Sequence, residues 1–136
     1  MTREELKEYI PHREPMLLID EIELGEDGLC YAKYRVREDE IFCQGHFPDN
    51  PIVPGVILCE IMAQSCALLM KEDLKGMTPL YTGIDNLRFK NIVKPGDLCE
   101  VMARLKSRRG PMFFCEAMLM VDGMLCCKGD LSFALI

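Results

Sequence analysis

His46 and Glu60 are the residues of this sequence best suited to acid–base chemistry. His46 lies in a proline-rich stretch, whereas Glu60 interrupts the strongly apolar run VILCEIMAQSCALLM. Burial disfavours the charged form of a carboxyl group, so we expect Glu60 to be either paired or partly protonated, with a raised pKa. An imidazole and a perturbed carboxylic acid can together remove a proton next to a carbonyl group and protonate a leaving group.

Two nearby features would complete such a site. Gln64 follows Glu60 by one helical turn, where its amide can hold the carboxyl group in one orientation. The first-turn amides around Gly55 and Val56 have no partner within a helix, so they can point at the carbonyl oxygen of an ester or thioester. The sequence therefore combines a base, an acid and an oxyanion site.

A structural role and a metal site are the alternatives. A histidine in a loop is more often structural, and a helical glutamate more often meets a Lys or Arg. A metal site from Cys43, His46 and Cys59 lacks a CxxC or HxxxH spacing, so we predict none. His12 is expected to be structural, because nothing in the sequence pairs it with an acid of the central helix. The 8 cysteines, without a secretory segment, are expected to be reduced thiols.

A buried helix over residues 54–71 is predicted to position Glu60 and Gln64. The segment from Val56 to Met70 contains no Gly or Pro, and Pro54 suits a first helical turn. Apolar residues cover the whole circumference, as in a helix enclosed by the rest of a protein. With Glu60 inside, the segment is too short and too polar for a membrane span.

Extended segments surround this helix. Thr2 and Glu5 form a capping-box pattern that predicts a short first helix. Strands are predicted over 16–24, 29–37, 80–90, 97–107, 111–121 and 124–135, with a two-residue turn at Asp122-Gly123. We therefore expect one α+β domain over residues 1–136, with an antiparallel sheet curled around the helix. Apolar residues on both faces of 112–121 predict a homo-oligomer, at least a dimer.

The charge pattern narrows the partners. A formal net charge of −6 argues against nucleic acid. The first residues are not a signal peptide, so we expect a cytoplasmic protein that does not enter membranes. Basic residues form two late groups that either dock an acidic partner or are solvated strand ends: Arg88, Lys90 and Lys94, then Arg104, Lys106, Arg108 and Arg109.

The segment GHFPDNPIVPGVILCEIMAQ, residues 45–64, resembles the active-site segment of the beta-hydroxyacyl-acyl-carrier-protein dehydratases, whose pattern is GHFPxxPIxPGVxxxExxAQ. PHREPMLLID at 11–20 resembles the family's PHRxPxLLxD, and GIDNLRF at 83–89 followed by VKPGD at 93–97 resembles its second signature. The similarity covers nearly the whole chain. Asp49 and Ile61 depart from the residues common in the family, which leaves the preferred acyl-chain length open.

This resemblance implies a hotdog fold, an antiparallel sheet wrapped around a long central helix. It implies an active site shared across a dimer, with His46 of one chain facing Glu60 of the other. His46 would be the general base that takes the C2 proton, and Glu60 the acid that protonates the departing 3-hydroxyl group. Gly55 would bind the thioester oxygen through its amide, the carbonyl group of Ile52 would fix the tautomer of His46, and Gln64 would orient Glu60.

The resemblance also implies the substrate and the partners. The substrate would be a 3-hydroxyacyl chain on the phosphopantetheine arm of an acyl carrier protein in type II fatty acid biosynthesis, and no cofactor is expected. The carrier would dock on Arg88, Lys90, Lys94 and Arg109. The oligomer would be a homodimer, with a hexamer of three dimers as the larger alternative. The alternative functions are a dehydratase that also isomerises trans-2 to cis-3 enoyl chains, a non-catalytic acyl-binding hotdog subunit and a hotdog thioesterase.

Overall fold

The computed structural model describes residues 1–47 and 49–136, so Pro48 of the proline-rich loop lies outside the described residues. One antiparallel sheet and a set of short helices account for the regular structure. In chain order the elements are α1 Arg3–Leu6, β1 Glu21–Leu24, β2 Cys30–Arg35, α2 Ile41–Gln44, α3 Gly55–Gln64, a 3-10 turn Ala67–Met70, α4 Lys71–Leu74, β3 Pro79–Phe89, β4 Leu98–Arg109, β5 Met112–Val121 and β6 Met124–Leu135. The strand order is β1-β2-β4-β5-β6-β3, so β1 and β3 form the edges.

The central helical segment packs its apolar side chains against β5 and β6. The prediction of a continuous helix over 54–71 was only partly right, because α3 ends at Gln64. The Ser65 hydroxyl bonds the Ile61 carbonyl at 2.7 Å, and the Cys66 thiol bonds the Met62 carbonyl at 3.4 Å. The Cys66 amide then reaches back only to Ala63, which is 3-10 bonding. Side chains that bond carbonyl groups of their own helix thus accompany the bend of the central segment into its 3-10 turn.

The predicted strands largely match the sheet. The capping box of Thr2 and Glu5 is formed, and β6 has the predicted limits. The strand predicted over 16–24 is shortened to Glu21–Leu24, although residues 17–19 are buried. The short helix α2 was not predicted. The result is the predicted α+β architecture, with the helical segment against one face of an antiparallel sheet.

Apolar side chains are exposed on β3 rather than on β5. Side chains of β5 alternate between buried and half-buried, so its outer face is largely covered within the chain. The edge strand β3 instead exposes Leu80, Tyr81, Ile84 and Phe89 by 42 to 52% of their surface. Among the described residues no helix combines the length and the apolar character needed to cross a bilayer.

Candidate active site

The carboxylate of Glu60 accepts hydrogen bonds from three separate parts of the chain. Glu60 lies on α3, and 18% of its side chain is exposed. Its Oε1 atom lies 3.0 Å from Nε2 of Gln64 and 3.3 Å from Nε2 of His12. Its Oε2 atom accepts from the Tyr81 hydroxyl at 3.0 Å. We call Glu60 with His12, Gln64 and Tyr81 the carboxylate cluster.

Gln64 ties this cluster to the backbone. Its side chain is buried, its Oε1 atom accepts from the Leu18 amide at 2.7 Å, and its Nε2 atom donates to the Met16 carbonyl at 2.8 Å. The backbone at Met16 and Leu18 therefore bonds a side chain, which is why this stretch does not join the sheet. The predicted contact from Gln64 to Glu60 is present, in an amide that cannot rotate freely.

The hydrogen bonds decide the protonation of Glu60. Burial alone would raise the pKa of its carboxyl group, but donors on His12, Gln64 and Tyr81 together outweigh it and hold the pKa below the ordinary value of 4.5. The predicted pairing of Glu60 is present. The predicted raised pKa was wrong for this chain, because it considered only the apolar neighbours along the helix.

His12 is a member of the site that was not predicted from the sequence. It was expected to have no acid of the central helix beside it, and its Nε2 atom lies 3.3 Å from Glu60. Its Nδ1 atom is buried and has no hydrogen-bond partner among the described residues. With Nε2 as the donor, the proton is assigned to that nitrogen. The available signal was the position of His12 inside the stretch that resembles PHRxPxLLxD.

A cavity of about 200 Å³ opens beside the carboxylate cluster. All four members of the cluster line it, and the rest of its wall is mostly apolar: Ile10, Ala63, Ala67, Met70, Pro79, Leu80 and Phe133. Tyr81 was not singled out from the sequence, because an alternating strand gives no sign that its hydroxyl reaches a helix. An apolar cavity with one polar wall fits a hydrocarbon chain that carries a single reactive group.

His46 occupies a different environment, in the loop between α2 and α3. Its Nδ1 atom lies 3.1 Å from the Ile52 carbonyl, which accepts from it when Nδ1 carries the proton. The other nitrogen, Nε2, is then an acceptor. The ring stacks on the neighbouring Phe47, with 4.2 Å between ring centroids. His46 is not among the described residues that line the cavity beside Glu60.

The start of α3 leaves backbone donors available. Ile57 makes the first intrahelical bond, to Pro54, so the amides of Gly55 and Val56 precede it. Val56 is 73% exposed. A Cβ atom on Gly55 would lie 2.8 Å from the ring of Phe89, so only glycine allows this ring to cover the helix start. The amides of Gly55 and Val56 therefore have no partner within the helix, and the oxyanion role expected of them stays a prediction.

The basic residues separate into two ends of the sheet. Arg88, Lys90 and Lys94 are exposed near the end of β3, and Lys128 joins them because it lies opposite Arg88 on β6. Arg109 pairs with Met112, whose partner on β6 is Ala134, whereas Phe89 pairs with Cys127. Cys127 and Ala134 are seven residues apart on β6, which corresponds to about 23 Å along the strand. The structure does not bring Arg109 together with the other three.

The residues of the alternative metal site are engaged elsewhere. The Cys43 thiol faces the Ile52 carbonyl at 3.7 Å, and the Cys59 sulfur faces the Tyr81 hydroxyl at 4.0 Å. Within residues 1–47 and 49–136 no group of three His, Cys, Asp or Glu side chains is arranged to hold a metal ion.

Solved structures define the class of fold. Over 96% of this chain and 90% of the other, the structure resembles a dehydratase heterocomplex from Xenorhabdus doucetiae, with a TM-score of 0.79 and 19% identity. A putative thioesterase from Ralstonia eutropha gives a TM-score of 0.64 at 22% identity, over 86% and 83% of the two chains. At such identities the likeness concerns the fold alone. It confirms the predicted hotdog architecture.

Sequence relatives define the family. The sequence model of the FabA-like domain family matches residues 10–130 of this chain. The chain is 45% identical to the 3-hydroxyacyl-acyl-carrier-protein dehydratase FabZ of Caldicellulosiruptor bescii, over 97% of this chain and 96% of the relative. It is 43% identical to the FabZ of Clostridium perfringens, over 99% of both. The chain belongs to the FabZ-type family of hotdog dehydratases, which confirms the resemblance of its motifs.

Proposed function

We propose that this protein is a (3R)-hydroxyacyl-acyl-carrier-protein dehydratase, a hydro-lyase of type II fatty acid biosynthesis. It eliminates water from 3-hydroxyacyl thioesters to give trans-2-enoyl thioesters. The observation that carries this proposal is the Glu60 carboxylate, held by three donors at the wall of an apolar cavity, in a chain whose near-full-length relatives are FabZ dehydratases.

The proposed reaction needs one base, one acid and one oxyanion site. Nε2 of His46 takes the C2 proton, and the electron pair of that C–H bond forms the C2–C3 double bond. The C3–O bond breaks, and Glu60 gives its proton to the departing hydroxyl group, which leaves as water. The amide of Gly55 stabilises the charge that develops on the thioester oxygen. The carbonyl of Ile52 keeps Nε2 of His46 available as the acceptor.

Glu60 must be protonated before it can act in this way. In the chain without substrate its pKa is lowered, which favours the carboxylate. An acyl chain in the cavity would exclude water and so favour the neutral acid. After each turnover the proton held by His46 restores the acid, so the cycle needs no net proton.

We further propose a homodimer with a shared site, and a hexamer of three dimers as the larger alternative. The support is the apolar edge strand β3, which a second copy can cover, and the position of His46 outside the cavity that Glu60 lines in its own chain. The base would then come from one chain and the acid from its partner. We also propose that the protein carries out this reaction in the cytoplasm.

The acyl carrier protein is the proposed substrate donor. The support for its docking site is the exposed basic group of Arg88, Lys90 and Lys94, to which the register of β3 and β6 adds Lys128. This group lies beside Val93, whose carbonyl accepts from the amide of Val53 in the His46 loop at 2.8 Å. A carrier bound there would deliver its arm from the side of the helix start.

Mass spectrometry of carrier-bound substrates tests the function. The protein is incubated with 3-hydroxyacyl carrier proteins of several chain lengths, beside His46→Ala, Glu60→Gln and the control Glu72→Gln, an exposed glutamate of α4. We expect the loss of one water with wild type and control, and a rate lower by about 100-fold or more in both site variants. Release of free acid would identify a thioesterase, and an unchanged substrate at every length would leave an acyl-binding subunit.

A further inference from the structure

The two oxygen atoms of Glu60 have unequal surroundings. Oε1 accepts from the Gln64 amide at 3.0 Å and lies 3.3 Å from Nε2 of His12, so two nitrogen atoms already face this oxygen. Oε2 receives the Tyr81 hydroxyl and no further donor among the described residues. Oε2 is therefore the less crowded of the two oxygens, and a proton bound to Glu60 has more room there.

Tyr81 is held where its hydroxyl meets this oxygen. It lies opposite Phe133 in the pairing of β3 with β6, just before a register shift that separates it from Gly83. Its ring packs on the ring of Phe133, with 5.5 Å between centroids. The hydroxyl lies 3.0 Å from Oε2 of Glu60 but 3.5 Å from the carbonyl of Cys59, so the carboxylate is the closer acceptor.

The Tyr81 hydroxyl acts as a donor rather than an acceptor. Burial raises its pKa far above the ordinary value, and the negative charge of Glu60 adds to this effect. Tyr81 therefore keeps its proton at any pH where the protein works. Both Tyr81 and Glu60 line the same cavity, so the less crowded oxygen Oε2 is the better placed to meet a ligand there.

We propose that Tyr81 is a positioning residue that makes Oε2 of Glu60 the proton-donating oxygen and directs its proton into the cavity. The inference rests on the proposed dehydration. Each neighbour of the carboxyl group then has a distinct role, because Gln64 and His12 occupy Oε1, whereas Tyr81 occupies one side of Oε2. The 3-hydroxyl group of the substrate meets the other side of Oε2, where the proton lies.

A direct titration of the carboxyl group tests the hydrogen bond. The protein is labelled with carboxyl-13C glutamate, and the Glu60 signal is identified by its loss in Glu60→Gln. In Tyr81→Phe, which keeps the ring on Phe133, we expect Glu60 to titrate at higher pH than in wild type, because the carboxylate has lost a donor. His12, Gln64 and the thiol of Cys59 are the other polar groups that face Glu60, and all stay in place.

Tyr31→Phe is the matched control. The Tyr31 hydroxyl on β2 donates at 2.5 Å to Oδ2 of Asp27, in the exposed turn before that strand, so this variant also removes a bond from a tyrosine to a carboxylate. The Glu60 titration should be unchanged in it. A Glu60 signal that does not move in Tyr81→Phe overturns the proposal.

Kinetics with a carrier-bound 3-hydroxyacyl chain test the role in turnover. In Tyr81→Phe we expect kcat to fall about tenfold, because the proton of Glu60 is no longer directed towards the 3-hydroxyl group of the substrate. KM should stay within about twofold of wild type. An unchanged kcat overturns the positioning role. A raised KM with an unmoved Glu60 titration also overturns it, since Tyr81 would then contact the substrate itself. Inactive wild type would remove the proposed function and the kinetic role with it, whereas the titration would still report on the hydrogen bond.

Discussion

The surroundings of Glu60 and of His46 differ in kind. Glu60 is held by side chains from the segment before β1, from its own helix and from β3. His46 contacts the carbonyl of Ile52 and the ring of Phe47, both in its own loop. One chain thus orients the acid from three segments, whereas among the described residues the base has contacts within its own loop.

This difference indicates how the site is assembled. An acid that is fixed within the chain needs no partner to orient it. A base on a short loop needs a surface to approach, and β3 provides an exposed apolar edge beside the cavity of Glu60. Four experiments test whether the acid is built within one chain and the base is completed by another.

Mixed oligomers should give the largest effect. His46→Ala and Glu60→Gln are each expected to be inactive, but unfolding and refolding them together should restore activity. In a mixed dimer, one site pairs the intact His46 of one chain with the intact Glu60 of the other. Random pairing of two chains gives about a quarter of the wild-type rate. The recovered rate is measured against each variant refolded alone, and no recovery would place both residues of a site in one chain.

The second largest difference between the surroundings of Glu60 and those of His46 is expected in stability. Gln64→Leu leaves the Leu18 amide and the Met16 carbonyl without their partner inside the protein, so we expect a loss of about 2–5 kcal/mol in the free energy of unfolding. His46→Ala removes a half-buried loop side chain and should cost less than about 1 kcal/mol. Urea unfolding measures both. Gln44→Leu, at an exposed glutamine, is the control, and equal losses for Gln64 and His46 would contradict the comparison.

Carrier docking is expected to have an intermediate effect. Reversing the charge of Lys90 and Lys94 together should raise KM about tenfold for a carrier-bound substrate, because two favourable charge contacts become repulsive. KM for a small thioester without carrier should not change. Arg109→Glu, at the other end of the sheet, is the control. A larger effect from Arg109 would move the docking site away from the His46 loop.

The pH dependence of stability should show the smallest effect. The pKa of folded Glu60 lies below its ordinary value of 4.5, so its contribution to stability is present above about pH 4.5 and is lost as the pH falls through the folded pKa. Urea unfolding between pH 3 and 6 should therefore show a shallower acid loss for Glu60→Gln than for wild type. His46→Ala is the second variant of the comparison. Identical slopes for all three proteins would show that the donors around Glu60 do not stabilise its charge.

The structural features that were predicted correctly are those that depend on residues close together in the sequence. The strands predicted over 97–107, 111–121 and 124–135 and the turn at Asp122-Gly123 follow from local patterns, and they match the sheet. The contact of Gln64 with Glu60 follows from one helical turn. The resemblance of residues 45–64 identified the segment that holds the candidate base and acid.

The errors arise where distant segments meet. The donors His12 and Tyr81 come from a loop and a strand far from Glu60 in the sequence, so the apolar run around Glu60 gave the wrong direction for its pKa. The bend after Gln64 comes with side chains that bond their own helix, which periodicity does not register. Lys94 and Arg109 share their charge, and only the register of the strands shows how far apart they lie.

The buried cysteines give the molecule a further property. All 8 are free thiols inside the protein, and burial raises the pKa of Cys30, Cys99 and Cys127 to about 12. Because the thiolate is the reactive form, the buried thiols of the folded chain should react only slowly with alkylating and oxidising agents. Each opening of the core exposes several thiols at once, so modification would follow the rate of unfolding. Oxidation of the thiols would then proceed no faster than the fold opens.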